Sequence, residues 1–112
     1  MLSFTVRACR TALLLAGVGC LAVPALRAQS ESEKLYAAKC AMCHAKDGSG
    51  DSPTGKAMKV PDLKSEAVQK LTDAELTDVV TKGKAAMPKY GDKLKADEIK
   101  GLVGYIRTLA KK

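Results

Sequence analysis

Aromatic side chains are scarce in this chain: it has no tryptophan, one phenylalanine and three tyrosines among 112 residues. A domain this small with so little bulk cannot close a core from its own side chains easily, and such chains rely on disulfides, metals or another filler. Histidine occurs once, at His44, which rules out bis-histidine ligation and a zinc site rich in nitrogen donors. Alternating β-branched runs are nearly missing, so a sheet is not expected. There is no internal repeat and no low-complexity tract. The net charge is +7, yet no basic stripe interleaved with aromatics is present, and nucleic-acid binding is not expected. The length allows at most one domain.

The first 28 residues stand apart from the rest. They hold Arg7 and Arg10, then an apolar run from Thr11 to Leu26, and no acidic residue. This pattern predicts a secretory signal peptide. Gly17, Gly19 and Pro24 interrupt the run, which is short for a membrane span. Cleavage fits after Ala25 or after Ala28. Ala28 is preferred, because Gln29-Ser30-Glu31 then opens a polar mature chain. An uncleaved anchor is the competing reading. A lipoprotein through Cys20 fits less well, since the apolar run continues beyond it. The expected layout is a signal peptide over 1–28 and a single domain over 29–112, periplasmic or otherwise exported and without a membrane span in the mature part. Removing Arg7, Arg10 and Arg27 from 19 basic residues leaves 16 against 12 acidic ones, a net of +4. Cys9, Cys20 and Phe4 go with the leader. Of the cysteines only Cys40 and Cys43 remain, and a bridge between residues three apart closes too small a loop to stabilise much. Something else must fill the centre.

Helix signals recur along the mature region. Ser30 with Glu33 predicts a capping box for a first helix over about 31–42, with Leu35, Ala38 and Met42 on one face. Residues 45–61 are rich in Gly, Pro and Ser and read as an irregular loop. Ser65 predicts the start of a short helix through Leu71. Thr72 with Glu75 makes a second capping box, opening a helix with Leu76, Val79 and Val80 that Gly83 ends. Residues 83–94 are again irregular. The last helix, about 96–110, repeats Ile99, Leu102, Val103, Ile106, Leu109 and Ala110 at helical spacing. Its cap is poor, because Lys95 stands at the N-cap position, although Asp97 and Glu98 suit the positive end of the helix dipole. The fold class expected is all-α, with two long loops.

Residues 40–44 read Cys40-Ala41-Met42-Cys43-His44. This C-x-x-C-H pattern is that of covalent haem attachment. Residues three apart lie on one side of a helical turn. Two thiols there can add across the vinyl groups on one porphyrin edge, leaving His44 beneath the ring where its imidazole reaches the iron. Random shuffling of this composition gives such a pattern on the order of once in a thousand chains. A zinc site lacks a third mature cysteine and a second histidine. A thioredoxin-like pair lacks its βαβ setting. One covalent haem c also answers the missing core, because a large apolar macrocycle can replace the absent aromatics.

Thioether sulfur commonly partners histidine in electron-transfer haems and raises their potential. Met42 lies within the attachment turn and cannot reach the opposite ring face. Met87 lies in the second irregular loop and is followed by Pro88, which stiffens the backbone. Met58 lies in the first loop, and spacing alone does not exclude it. Met87 is the preferred sixth ligand.

Together these residues resemble the class I cytochromes c in their small bacterial mono-haem form. The resemblance covers the whole mature region. It rests on Cys40-Ala41-Met42-Cys43-His44, Gly48-x-Gly50-x-x-Pro53, Gly83-x-x-x-Met87-Pro88-x-Tyr90 and Leu102-Val103-Gly104-Tyr105-Ile106. It implies about four short helices around one covalent haem, with His44 and Met87 as axial ligands. It implies that the Pro53 carbonyl accepts the imidazole N–H and fixes its tautomer. It also implies that the first and last helices cross through Tyr36, Leu102, Gly104 and Tyr105. The tryptophan that many relatives carry near the propionates is absent here, and Tyr90 stands where it could take part of that role.

Residues 82–95 hold Lys82, Lys84, Lys89, Lys93 and Lys95 against Asp92 alone. That local excess equals the net charge of the mature chain. It suggests steering toward an acidic, exported redox partner, although lysine-rich segments are often plain solvated surface. The function expected is a monomeric carrier of single electrons with no catalytic residues. The alternatives are a haem subunit of a larger respiratory or dehydrogenase complex, or an open-site haem protein that reduces peroxide or binds gas.

Overall fold

The computed structural model describes residues 23–112. Arg7, Arg10, Cys9, Cys20 and the apolar run up to Ala22 of the expected leader lie outside the described residues. Six helices follow in order: α1 (Val23–Lys39), α2 (Ala41–His44), α3 (Pro53–Met58), α4 (Glu66–Gln69), α5 (Asp73–Lys82) and α6 (Ala96–Leu109). The all-α expectation holds, and α5 and α6 fall where their caps and periodicity placed them.

Helix α1 begins upstream of its expected start. Ser30 lies inside it and does not cap it, so the expected Ser30–Glu33 box is not formed. Residues 24–30 are all exposed, so this extension adds nothing to the buried core. The buried contact of α1 is also not the face that was expected. Tyr36 is 2% exposed and Leu35 packs at the edge of the core, whereas Ala38 is exposed and Met42 is 75% exposed.

A second difference is α3, inside the segment expected to be irregular. Its start is well specified. The Ser52 hydroxyl accepts from the Gly55 N–H at 2.9 Å, Pro53 occupies the first turn, and Lys59 closes the helix in a left-handed conformation. Serine at the N-cap followed by proline is a helix signal in its own right, set here among glycines that by themselves indicate a loop. Ser52 also joins α3 to the attachment turn, its hydroxyl lying 2.8 Å from the Met42 carbonyl and 3.1 Å from that of Cys43. Gly55 sits directly against the Cys43 and Gly50 carbonyls, where a Cβ would collide with backbone.

Helices α1 and α6 cross, as the resemblance implied. The Tyr36 and Tyr105 rings meet with centroids 5.1 Å apart and a 53° tilt, and Leu102 and Leu109 are 2% and 1% exposed. The glycine at the close approach is different from the one expected. Gly104 is exposed, with nothing within 4 Å of its Cβ direction, while Gly101 faces the Ser32 hydroxyl. Lys95 starts α6 without a side-chain cap, but its N–H donates to the Glu98 carboxylate at 2.7 Å, which completes half of a capping box. Arg107 locks α6 to the corner between α4 and α5. Its guanidinium donates to the Gln69 and Leu71 carbonyls and pairs with Asp73 at 2.8 Å. A charged residue within an apolar helical stripe reads as surface in sequence, and only the corner it reaches reveals this role.

Two glycines and one serine test this packing in the haem-loaded protein. Gly104→Ala should stabilise by about 0.5–1 kcal/mol, the helix-propensity gain with no clash to offset it. Gly55→Ala should destabilise by about 3 kcal/mol, the upper range for overpacking against groups that cannot move. Ser52→Ala should cost about 1–2 kcal/mol, as for other lost N-caps. Denaturant unfolding of the three variants beside the parent checks the order; a neutral Gly55→Ala would contradict the contact described.

Candidate haem site

A cavity of about 390 Å³ lies at the centre of the helices, and its lining is predominantly apolar. Three sequence-predicted residues meet there: Cys40, His44 and Met87 all line it, as do Tyr36 and Tyr90. Cys43 is on the same turn and half-buried but is not part of the wall. Met58, the alternative ligand, lines the cavity as well and is 55% exposed. The expected bond from the imidazole to the Pro53 carbonyl is not formed, since among the described residues His44 Nδ1 is buried with no hydrogen-bond partner. Pro53 is exposed at the start of α3, while Pro61, just beyond α3, is in the cavity wall.

The attachment turn is built locally. The His44 N–H donates to the Cys40 carbonyl at 2.9 Å, and the His44 carbonyl accepts from Gly50 at 2.9 Å. This places the thiols on one turn and the imidazole at its end. Burial pushes the Cys40 thiol up to about 11, with the neighbouring Cys43 adding to the rise. At neutral pH such a thiol is protonated, unlike the activated thiolates of redox or zinc-binding pairs. Burial also lowers His44 below its ordinary value, which keeps the imidazole neutral and able to ligate a metal.

The Met87 loop is strapped to α5. Lys84 and Met87 exchange backbone hydrogen bonds of 3.3 and 2.9 Å around a tight turn in which Ala85 has φ 52°. Gly83 has φ 75°, and a side chain there would meet the Met87 carbonyl at 2.6 Å. Tyr90 and Gly91 donate to the carbonyls of Val80 and Thr81, each at 3.0 Å. The Tyr90 hydroxyl donates to the Lys39 carbonyl at 3.0 Å, tying this loop to the end of α1. Its phenol is raised, first by desolvation and then by Cys40 and Cys43.

The remaining wall was only partly legible in sequence. Leu76, Val79 and Val80, the apolar residues expected in the helix after Thr72, are in the wall. Val60, Leu63 and Val68 are there too, and the sequence reading passed over them because they are spread through short, weakly periodic elements. The fit to a haem rests on three features together: an apolar cavity of this size, two free thiols on one turn at its edge, and a neutral imidazole within it whose buried nitrogen finds no protein partner.

Residues 27–106 match the family model described as "Cytochrome C oxidase, cbb3-type, subunit III". The chain is also similar to proteins named cytochrome c6. The one from Rippkaea orientalis is 36% identical over 91 residues, covering 80% of this chain and 79% of that protein. The one from Porphyra purpurea is 34% identical over 80 residues, covering 71% and 70%. The one from Microcystis aeruginosa is 32% identical over 82 residues, covering 73% and 98%. With the helices, the cavity and the attachment turn in place, these similarities show that the chain belongs to the class I cytochrome c family, as a small member carrying one covalent haem c.

Proposed function

We propose that this mono-haem electron carrier holds its haem through thioethers at Cys40 and Cys43, with His44 and Met87 as the two axial ligands. The observation that carries the assignment is the convergence of Cys40, His44 and Met87 on one apolar cavity, although His44 and Met87 stand 43 positions apart in sequence. When bound, the haem supplies a one-electron Fe(II)/Fe(III) couple. The chain's part is to hold the imidazole neutral, to present the Met87 sulfur from a strapped loop, and to exclude water with the apolar wall. Two protein ligands leave no position for a substrate, so the chain has no catalytic residue of its own. Met58 shares the cavity, but it ends the six-residue helix α3, whose last residues are exposed, whereas Met87 is half-buried and held through both its N–H and its carbonyl.

The reading of residues 1–28 as a cleaved leader, and of the mature chain as an exported monomer, belongs to the same proposal. It is supported by the exposed residues 24–30 and by a family match that begins at residue 27. Cleavage after Ala28 would free Ser30 to cap the shortened helix. No helix among the described residues is long and apolar enough to cross a membrane. The family model's description favours a second reading, a haem subunit of a larger respiratory complex. Sizing of the matured protein separates the two, since a free monomer supports the carrier.

The lysine segment is narrower in space than in sequence. Lys82 pairs with Asp78 at 2.6 Å and Lys89 with Asp92 at 3.0 Å, while Lys84, Lys93 and Lys95 have no acidic partner among the described residues. Lys84 lies on the cavity wall, and so does Lys59 from the end of α3. We assign these exposed cations to steering an acidic redox partner toward the haem edge.

Two measurements follow. Met87→Ala should retain the haem, lose the weak far-red band of sulfur ligation in the oxidised spectrum, and lower the midpoint potential; Met58→Ala should leave both unchanged. A sulfur-ligated spectrum surviving in Met87→Ala would move the ligand to Met58. In stopped flow, oxidation by anionic ferricyanide should slow about tenfold from low to high ionic strength, while a cationic cobalt oxidant should not slow. Salt-independent rates with ferricyanide would return the lysines to ordinary solvated surface.

A further inference from the structure

The backbone is strained where the chain leaves α2. Ala45, directly after His44, has φ 61° and ψ 164°. That region is entered freely by glycine and hardly at all by a residue with a Cβ. Such a conformation persists only where the surroundings over-determine it, and here three hydrogen bonds do so. The Ala45 N–H donates to the Ala41 carbonyl at 2.9 Å, and the Ala45 carbonyl accepts from the Gly48 N–H at 3.2 Å. Those two are local to the turn. The third comes from another helix: the Tyr36 hydroxyl donates to the same carbonyl at 2.8 Å. Tyr36 is well fixed for this purpose, being 2% exposed with its ring packed on Tyr105.

Among the described residues the imidazole Nδ1 is buried with no hydrogen-bond partner, so within the protein the ring direction follows the His44 backbone. That backbone is set on one side by the α2 turn and on the other by the Gly50 N–H, which donates to the His44 carbonyl at 2.9 Å, together with the Ala45 peptide plane that follows. Phenylalanine at position 36 would fill the same aromatic contact with α6; the hydroxyl adds only the bond to Ala45. We infer that Tyr36 is a positioning residue for His44: its hydroxyl holds the strained Ala45 carbonyl, and through it fixes how the imidazole enters the haem cavity. The inference rests on His44 being an axial ligand.

The test uses the matured holoprotein with four variants: Tyr36→Phe, Ala45→Gly, the two combined, and Tyr105→Phe. The last removes the partner hydroxyl of the same ring pair, which reaches Glu33 at 3.4 Å and not the attachment turn. The readouts are the midpoint potential and the g values of the low-spin ferric EPR spectrum, which report the direction of the imidazole plane. Tyr36→Phe should keep the haem, shift the g values, and raise the potential, because a displaced imidazole donates less to the ferric ion. Tyr105→Phe should move neither. In the Ala45→Gly background the Tyr36→Phe shift should fall by at least half, since glycine holds this conformation unaided. Parent-like g values and potential in Tyr36→Phe, or equal shifts in both backgrounds, would overturn the inference. If Tyr36→Phe does not accumulate as holoprotein, rescue of its yield by Ala45→Gly supports the inference and lack of rescue rejects it. A parent spectrum without low-spin histidine ligation would instead reject the ligand assignment, so the two failures are separable.

Discussion

Apolar side chains from α4, α5, α6 and the segment after α3 all turn toward one cavity, and burying them requires a body the chain does not itself supply. This contact between wall and macrocycle is what the rest of the structure depends on. At roughly 25 cal/mol per Å² of apolar surface removed from water, filling the cavity contributes more than any single side chain here can. The helices themselves are short: α2 and α4 have four residues each and α3 has six. Helices of that length do not persist alone. They are held by caps, by Ser52 and Arg107, and by a shared apolar centre.

The two ends of the site are restrained in different ways. On the histidine side, the restraint is backbone geometry. A turn of C-x-x-C-H is followed by a strained Ala45, a glycine packed on carbonyls at Gly55, and a serine that bonds across to the turn. On the methionine side, the restraint is a strap: Gly83 in a left-handed conformation, the Lys84–Met87 exchange, and the bonds of Tyr90 and Gly91 to α5. On the proposed assignment of His44 and Met87, both devices fix the ligands before electron transfer takes place. A carrier benefits from that arrangement, because an iron whose ligands stay put in both oxidation states has little to reorganise.

Charge follows the same division. Seven of the acids pair with a base, mostly at the exposed surface, and such pairs contribute little to stability. The cations without acidic partners at Lys84, Lys93 and Lys95, with Lys59 across the wall, lie by the Met87 loop and the cavity. On the proposed reading, their value is in the long-range field they project and not in holding the fold.

The sequence by itself determined the chemistry and the broad architecture. C-x-x-C-H is a local covalent pattern, complete within five residues. The Thr72–Glu75 box and the apolar stripe of the last helix are local periodic signals, and these are what sequence patterns record. Tertiary structure decided everything that depends on distance in space. It put Gly101 and not Gly104 at the helix crossing, because the register of α1 against α6 sets which residue meets Ser32. It turned Pro53 into a helix start and left Pro61 in the wall. It sent Arg107 to the α4–α5 corner and the Tyr36 hydroxyl to Ala45. None of these pairings has a sequence period, since each joins residues whose separation is set by packing around the cavity and not by the repeat of a helix.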